Sequence, residues 1–499
     1  MIKELKTYTK KERNMFLVGL YRQNVIYNVI SVGLMVYFTD AVKIPGYIVG
    51  TIMFIARLWD AINDYIMGAI VDKTHSRWGK CRPYLIVMPI PIFIITVLCF
   101  ASPTTYPENA AVTVAWCATT YIMWGMMYTI SDIPLWGITA RMTEVEHDRT
   151  KLVSAARIAG GIGAIIPMVG LVALARALMG QSILGLDIDL RMGFMITVAL
   201  MAALGTATFQ LAGIGTREHV AVVANQERSM TSNLKMVFKN KPYMRIILSG
   251  IISSTKNMIM VTSVYLLQWY FANGDPGKIA QYTITLGGSV LIGSFASIAL
   301  VPTLTKRFEK KTIYNWAHII CIPPLLLAYM LYLSVPDIVG TAYEYVLMFL
   351  FLIAGIATGA PMALQSDMIA DSVNYLELQT GERTEGVSFA GQTFLAKFTA
   401  AVATLMAGMV LGFVKYTEQV DNMQTVAEAG GIVRADFPTI MNALWIITTI
   451  LPAIGCLLAI IPIIKYPLTR AMNADIAEKL HIMRANSKSS KDSLDFEMW

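Results

Sequence analysis

Charge is what this chain has least of. Of its 499 residues only 15% are charged, against 56% hydrophobic, where an average soluble domain has nearer a quarter of its residues charged. A soluble protein of this length would need polar side chains to cover its surface, and they are missing. Cysteine is scarce too. Cys81, Cys99, Cys117, Cys321 and Cys456 show no metal-ligand spacing and mostly lie inside apolar segments, so they read as small apolar side chains. No Walker A run, HExxH run or Ser/His set is present and the five histidines are scattered, which argues against an ATP-driven pump or a zinc hydrolase. Gly160-Gly161-Ile162-Gly163 only loosely matches a nucleotide fingerprint, and in an apolar helix it reads as close helix packing. The basic start MIKELKTYTKKERN leads into no short apolar region with a small-residue cleavage site. No cleaved signal peptide is expected, and the first helix serves as the insertion signal.

What is present is long apolar blocks. They run through 14–38, 46–71, 84–101, 110–137, 152–178 and 192–214, then 244–271, 280–304, 313–335, 342–370, 386–415 and 438–465. Crossing about 30 Å of hydrocarbon takes roughly 20 helical residues, and in lipid a helix satisfies its own backbone hydrogen bonds. The expected fold is therefore an all-α polytopic membrane protein of about twelve transmembrane helices. A polar stretch at 216–242 divides 1–215 from 243–466, and 467–499 forms a tail in which ADIAEKLHIMRA could make a short amphipathic helix. The loop GAIVDKTHSRWGKCRP in the first half has a weak echo, LVPTLTKRFEKK, in the second. Two six-helix bundles related by duplication are expected, with substrate held between halves near the midplane.

The net charge of +7 could suggest a nucleic-acid partner, but its distribution argues otherwise. Basic residues concentrate in the N-terminal segment, the 72–83 loop, the 138–151 loop, the central stretch, 305–311 and the tail, while 102–109 and 336–341 have none. That alternation is the positive-inside pattern and puts both termini in the cytoplasm of a bacterial inner membrane.

The informative residues are ionisable groups inside spans, where an Asp, Lys or Arg costs about 2.5–3.5 kcal/mol. ARLWDAINDYIMG carries Arg57, Asp60 and Asp64; the two carboxylates are i and i+4, on one helix face roughly 6 Å apart along the axis. Asn63 adds a carbonyl oxygen beside them. Two desolvated carboxylates repel unless a cation or a shared proton lies between them, so a Na⁺ or proton site is expected; pairing with basic residues on other helices is the blander alternative. In YTISDIPLW, Asp132 with Tyr128, Thr129 and Trp136 makes a sugar-binding kit, an acid for hydroxyls and a flat ring for an apolar sugar face. Arg157 and Lys397 could neutralise the acids or hold a substrate oxygen. For Arg22 and Lys256, snorkelling or structural pairing is favoured.

Three stretches, RLWDAINDYIMGAIVDKTHSRWGKCRPYL, YIMWGMMYTISDIPLW and DMIADSVNYLELQTGERTEGVSFAGQTFLAK, closely resemble the glycoside–pentoside–hexuronide:cation symporter family, typified by melibiose permease and part of the major facilitator superfamily. The resemblance runs in helix order over nearly the whole chain. It implies a cation site of Asp60, Asn63, Asp64 and Thr129. It implies a sugar site of Asp132, Trp136, Arg157, Gln392 and Thr393, with Lys397 between the two, and a cytoplasmic gating region at Asp371 and Arg383. Where the family type has a Lys-Asp pair this chain has Gln23-Asn24, and Met362 replaces a tryptophan, so Asn24 and Tyr128 join the expected sugar contacts and a sugar other than melibiose is expected.

The resulting expectation is a transporter and not an enzyme. It would carry a glycoside or oligosaccharide with Na⁺, Li⁺ or H⁺ by alternating access, with no cofactor and with sugar, monovalent cation and lipid bilayer as its partners. A lipid or lysolipid carrier of the same fold and a membrane-embedded enzyme on lipid-linked sugars are the alternatives. A neutral glycoside is favoured over an anionic one.

Overall fold

A computed structural model describes the chain except residues 1–6, 75, 144, 184, 220–238, 336, 382–384, 481 and 484–499. Helix dominates the described residues, and the strands are a single small hairpin, β1 (Ser182–Ile183) against β2 (Leu186–Asp187), antiparallel with Ser182 opposite Asp187. In the first half, α1 (Lys10–Val36) is followed by α2 (Gly46–Lys73), α3 (Pro89–Cys99, after a short turn Arg82–Val87), α4 (Ala110–Arg141), α5 (Glu146–Leu178) and α6 (Leu190–Phe209). The second half has α7 (Lys241–Ile252, then Met258–Leu266), α8 (Gly288–Leu304), α9 (Lys310–Ser334), α10 (Tyr343–Thr380), α11 (Glu385–Phe413) and α12 (Leu451–Ile464, entered from Pro438–Trp445).

Among the described residues, 8 helices are long and apolar enough to cross a membrane: α4, α5, α6 and α8 to α12. The two parts of α7, bent by 53°, make a ninth. The remaining three segments have physical reasons to fall short. Arg22, Gln23 and Asn24 interrupt α1; Arg57, Asp60 and Asp64 interrupt α2; and the Pro89–Cys99 helix is short. The polar residues that spoil α1 and α2 as apolar spans are the ones the sequence marks as functional. The count fits the expected twelve.

Capping explains where several helices begin. Thr9 and Glu12 form a reciprocal capping box at the start of α1, and Asp189 accepts from Met192 N at the start of α6, each satisfying donors the first turn leaves open. Among the described residues, π turns interrupt the helices at Tyr37–Ala41, Leu267–Phe271, Thr283–Gly287 and Ile446–Ile450.

Contacts divide the chain into two compact units. The first comprises Met1–Asn225, Met260–Ile284 and Thr404–Leu444. Its core includes Phe16, Leu20, Ile26, Leu135, Leu152 and Phe209. The glycines of α5 do what their sequence suggested: a Cβ on Gly163 would strike the Tyr21 carbonyl, and one on Gly160 would meet the Asn24 amide, so α1 and α5 pack backbone to backbone. The second unit comprises Gln226–Ile259, Thr285–Ala403 and Trp445–Trp499. There Gly293 of α8 and Gly355 of α10 lie against each other's helices. Residues 470–480 are helical, and Ile476 and Leu480 enter the core beside Leu364, Met368 and Tyr466. Outside the cores, Ile158, Ile162, Phe295, Met330 and Phe349 are each more than half exposed, which suits lipid contact and not water.

Candidate functional site

The site is built on one face of α4 in the first unit. Gly125, Thr129, Asp132 and Trp136 recur at helical spacing, and the α2 carboxylates lie against the first two. A Cβ at Gly125 would collide with Asp60 Oδ1, so the missing side chain is what admits the carboxylate. One turn on, Thr129 Oγ1 donates to Asp64 Oδ1 at 2.9 Å. Asp60, Asn63 and Thr129 are buried. Asn63 Nδ2 has no hydrogen-bond partner among the described residues, and turning its amide over would present the carbonyl oxygen to the same space. The four residues expected to hold a cation thus lie on two adjoining helices. Arg57 Nη1 reaches Tyr27 OH at 3.5 Å.

The sugar candidates begin one turn further along α4. Asp132 Oδ1 accepts from Gln23 Nε2 at 2.8 Å, and Gln23 also bonds the Tyr128 hydroxyl. Asn24 Nδ2 donates to Gln23 Oε1 at 3.0 Å and so orients that amide. Gln23, read in the sequence only as a departure from the family pattern, is therefore the α1 residue that reaches the acid. Tyr128 stacks on Trp124 at 4.8 Å and lies 5.4 Å from Tyr27, forming an aromatic wall. The Arg157 guanidinium lies over the Trp136 ring at 5.9 Å, a cation–π contact. This ring contact stands beside its two expected uses, neutralising an acid or holding a substrate oxygen.

The second unit carries the other candidates. On α11, Gln392 Nε2 donates to Ser366 Oγ at 2.6 Å, Thr393 is exposed and Lys397 half-buried. Asp371 near the end of α10 accepts from Lys310 Nζ at 2.7 Å and from Asn473 Nδ2 at 2.7 Å, and Lys310 also reaches Asp367 at 2.9 Å. Arg383 lies outside the described residues. Met362 is exposed. Lys256 sits on the 3₁₀ turn Ser254–Asn257 that breaks α7, and its Nζ lies 3.4 Å from His318 Nε2. His318 Nδ1 faces the Tyr314 carbonyl at 2.8 Å, which can only accept. Nδ1 therefore carries the proton and Nε2 offers its lone pair to the ammonium. Lys256 has a structural partner, as expected, but it is an imidazole and not an acid. Arg22 lies over the Tyr21 ring at 5.3 Å.

Sequence reasoning missed a second charged centre in the first unit. Asp40 is fully buried and receives Arg176 Nη2 at 3.0 Å, Gln268 Nε2 at 2.8 Å, Thr39 Oγ1 at 2.9 Å and Tyr416 OH at 3.1 Å. Arg176 lies 4.6 Å under the Trp269 ring and donates to Gln424 Oε1 at 2.7 Å. Trp269 Nε1 donates to Tyr416 OH at 2.6 Å. Asp40 lies in the π turn ending α1, and Gln268 and Trp269 lie in the one ending α7, the kind of interruption that is frequent at functional sites. The centre ties residues 39–40 and 176 to residues 265–269 and 416–424, from opposite halves of the sequence. The signal available was weak: an Asp and an Arg at span ends, where charge is ordinary.

Comparison with known proteins decides the family. The family model described as MFS/sugar transport protein matches residues 15–470. The chain belongs to this family. It is a multi-pass membrane transporter of sugars, not an enzyme, in the class of glycoside:cation symporters that its motifs resemble. It is 27% identical to the uncharacterized symporter YjmB of Bacillus subtilis (strain 168), over 95% of this chain and 96% of that one. It is 26% identical to an isoprimeverose transporter of Lactiplantibacillus pentosus, over 94% and 91%. Its fold is similar to that of a bacterial homologue of the human lysosomal transporter Spinster, with a TM-score of 0.65 at 13% identity, covering 94% of this chain and 99% of that one.

Proposed function

We propose that this sugar transporter carries a neutral glycoside or short oligosaccharide into the cell together with a monovalent cation, by alternating access. The observation that carries the reading is the shared turn of α4. Thr129, bonded to Asp64, and Asp132, bonded to Gln23, are i and i+3 on one helix. Asp60, Asn63, Asp64 and Thr129 hold the cation. Asp132 accepts sugar hydroxyls, while Asn24, Tyr128, Trp136 and Arg157 shape the sugar's surroundings, and Gln392, Thr393 and Lys397 contribute from α11. A cation that draws Asp64 and Thr129 together sets the turn on which Asp132 stands. By linkage the sugar then raises cation affinity by the same factor. Na⁺, Li⁺ and H⁺ are cargo here; no cofactor takes part.

The two six-helix halves, 1–215 and 243–466, rock about the bound cargo, with both termini on the cytoplasmic side of the inner membrane. Asp371, with Lys310, belongs to the cytoplasmic gate. A relative named for isoprimeverose supports a glycoside as substrate, and a neutral one is preferred because Arg22 is within snorkelling reach of the interface and Lys256 already has His318 as a partner. A panel of labelled neutral and carboxylated glycosides, offered to proteoliposomes under imposed Na⁺, Li⁺ or pH gradients, tests the reading. Accumulation of a neutral glycoside only when a cation gradient is present is expected. Gradient-independent equilibration, or inhibition by the carboxylated sugar alone, would sink it.

A further inference from the structure

The face of the first unit formed by the loops after α1, α3 and α5 holds a cavity of about 640 Å³ that the transport reading leaves unused. Asp40, Arg176 and Gln424 from the buried centre line it, and Tyr106, Arg191 and Glu428 are among the other lining residues. The helix Tyr416–Glu428 flanks it with one face. From that face Tyr416 bonds Asp40, Thr417 Oγ1 donates to the Ile44 carbonyl at 3.2 Å, Asp421 pairs with Lys43, and Gln424 accepts from Arg176.

The chemistry of the walls narrows what could bind. The basic residues that line the cavity are each already paired with a lining carboxylate: Arg176 with Asp40 at 3.0 Å, Arg191 with Asp189 at 3.1 Å, and Lys43 with Asp421 at 2.5 Å. Glu428 accepts from Gln424 Nε2 at 2.7 Å. The cavity is densely polar yet close to neutral. An anion would meet the paired carboxylates as well as the bases, and a cation the reverse, so neither gains much Coulomb energy. A neutral polyol suits it better, because each hydroxyl donates and accepts at once and can bridge a carboxylate to its basic partner. The volume lies within the roughly 300–1,000 Å³ of small-molecule sites.

A second observation points the same way. Arg176 Nε and Gln268 Oε1, both in the buried centre, have no hydrogen-bond partner among the described residues. Arg176 lines the cavity, so a ligand hydroxyl can accept from its orphaned Nε, and leaving a buried donor unmade costs about 1–3 kcal/mol.

We propose that this cavity is a second saccharide site, at which a neutral glycoside docks on the Asp40–Arg176 pair and competes for the hydrogen bonds that hold it. That the ligand is a sugar rests on the transport reading. Sugar arriving at this face then loosens the contact that joins the two halves of the sequence there, before the mid-span site is reached.

The native cysteines are all buried, so Thr105→Cys places one reactive thiol in the lining. The experiment follows its alkylation in proteoliposomes by a membrane-impermeant maleimide, with methyl α-galactoside, methyl β-glucoside, methyl β-xyloside and methyl β-glucuronide as probes. At least one neutral glycoside is expected to slow labelling about tenfold at ten times its dissociation constant; the glucuronide is not. The slowing persists when Asp132→Ala is added, which removes the mid-span site, and weakens with Arg191→Gln, which breaks the rim pair. No slowing by any neutral glycoside, equal slowing by the glucuronide, or slowing abolished by Asp132→Ala would overturn the proposal. Gradient-driven uptake of the same four sugars by the native chain is scored separately. Its failure counts against the symport reading, whereas labelling still reports on the cavity.

Discussion

The first unit contains two carboxylate centres that differ in the donors seen to serve them. At mid-span, Asp64 and Asp132 accept from neutral donors, Thr129 and Gln23. At the end of α1, Asp40 accepts from a guanidinium and from three neutral donors besides. A hydrogen bond from a neutral donor to a carboxylate contributes about 1.5–3 kcal/mol net, and a cation or a sugar hydroxyl that replaces the donor restores a comparable contact. Removing one partner of a buried ion pair costs about 3–5 kcal/mol, because the other charge is left without compensation. The Thr129 and Gln23 bonds at mid-span are therefore ones for which a ligand can exchange. The Asp40 centre is suited to holding one conformation until something competes for it.

The sharpest break of this contrast is Asp40→Ala. It leaves the Arg176 guanidinium buried without its acid, and purified protein should lose about 3–5 kcal/mol of stability, seen as an earlier thermal transition in detergent. Asp40→Asn with Arg176→Gln, which removes both charges, should recover much of the loss. If Asp40→Ala is no less stable than Thr129→Ala, the two centres do not differ as described.

Next in size is the loss of coupling. Asp60→Cys or Asp64→Cys should abolish cation-driven accumulation while leaving some sugar binding, since both carboxylates are assigned to the cation. Uptake against a gradient at the native level in both variants would end that assignment. Asp132→Ala follows. A buried acid that accepts hydroxyl hydrogen bonds contributes about 1.5–3 kcal/mol, or roughly a hundredfold in sugar affinity, and equilibrium binding to purified protein reads it directly. Unchanged affinity would move the sugar site elsewhere.

How much of this was legible in the sequence depends on the physical setting of each residue. The α2 carboxylates stood out because charge deep in an apolar run is expensive, and their i, i+4 spacing dictates a common face. Close packing of α5 on a neighbour was legible from Gly160 and Gly163, since a stripe without side chains has few other uses in lipid, but that the neighbour is α1 was not. The Asp40–Arg176 pair was not legible either, because charge at a span end costs little and the π turn in which Asp40 lies has no composition signal. Gln23 was visible only as a substitution; that it reaches Asp132 depends on the α1–α4 approach, which periodicity cannot supply. His318 was one of five scattered histidines until the break in α7 brought Lys256 to it. Arg383 and most of the 216–242 stretch fall outside the described residues.

The smallest effect expected is also the most discriminating for coupling. Thr129→Ala removes one neutral donor from Asp64 and leaves the carboxylate in place. The loss should be about 1.5 kcal/mol, roughly a tenfold weakening of cation affinity. If Thr129 belonged to the sugar site, half-saturation for sugar would rise at every cation concentration. If it belongs to the cation site, half-saturation rises only while the cation is below saturation and returns to the native value when the cation is raised, because the coupling acts through occupancy and is reciprocal. Gln23→Ala is the matched control on the other side of the same α4 turn. It should shift sugar half-saturation at all cation concentrations and leave cation affinity without sugar unchanged. Sugar uptake measured over a grid of cation and sugar concentrations separates the two patterns. Identical behaviour of the two variants would mean that the turn between Thr129 and Asp132 does not divide the cation from the sugar.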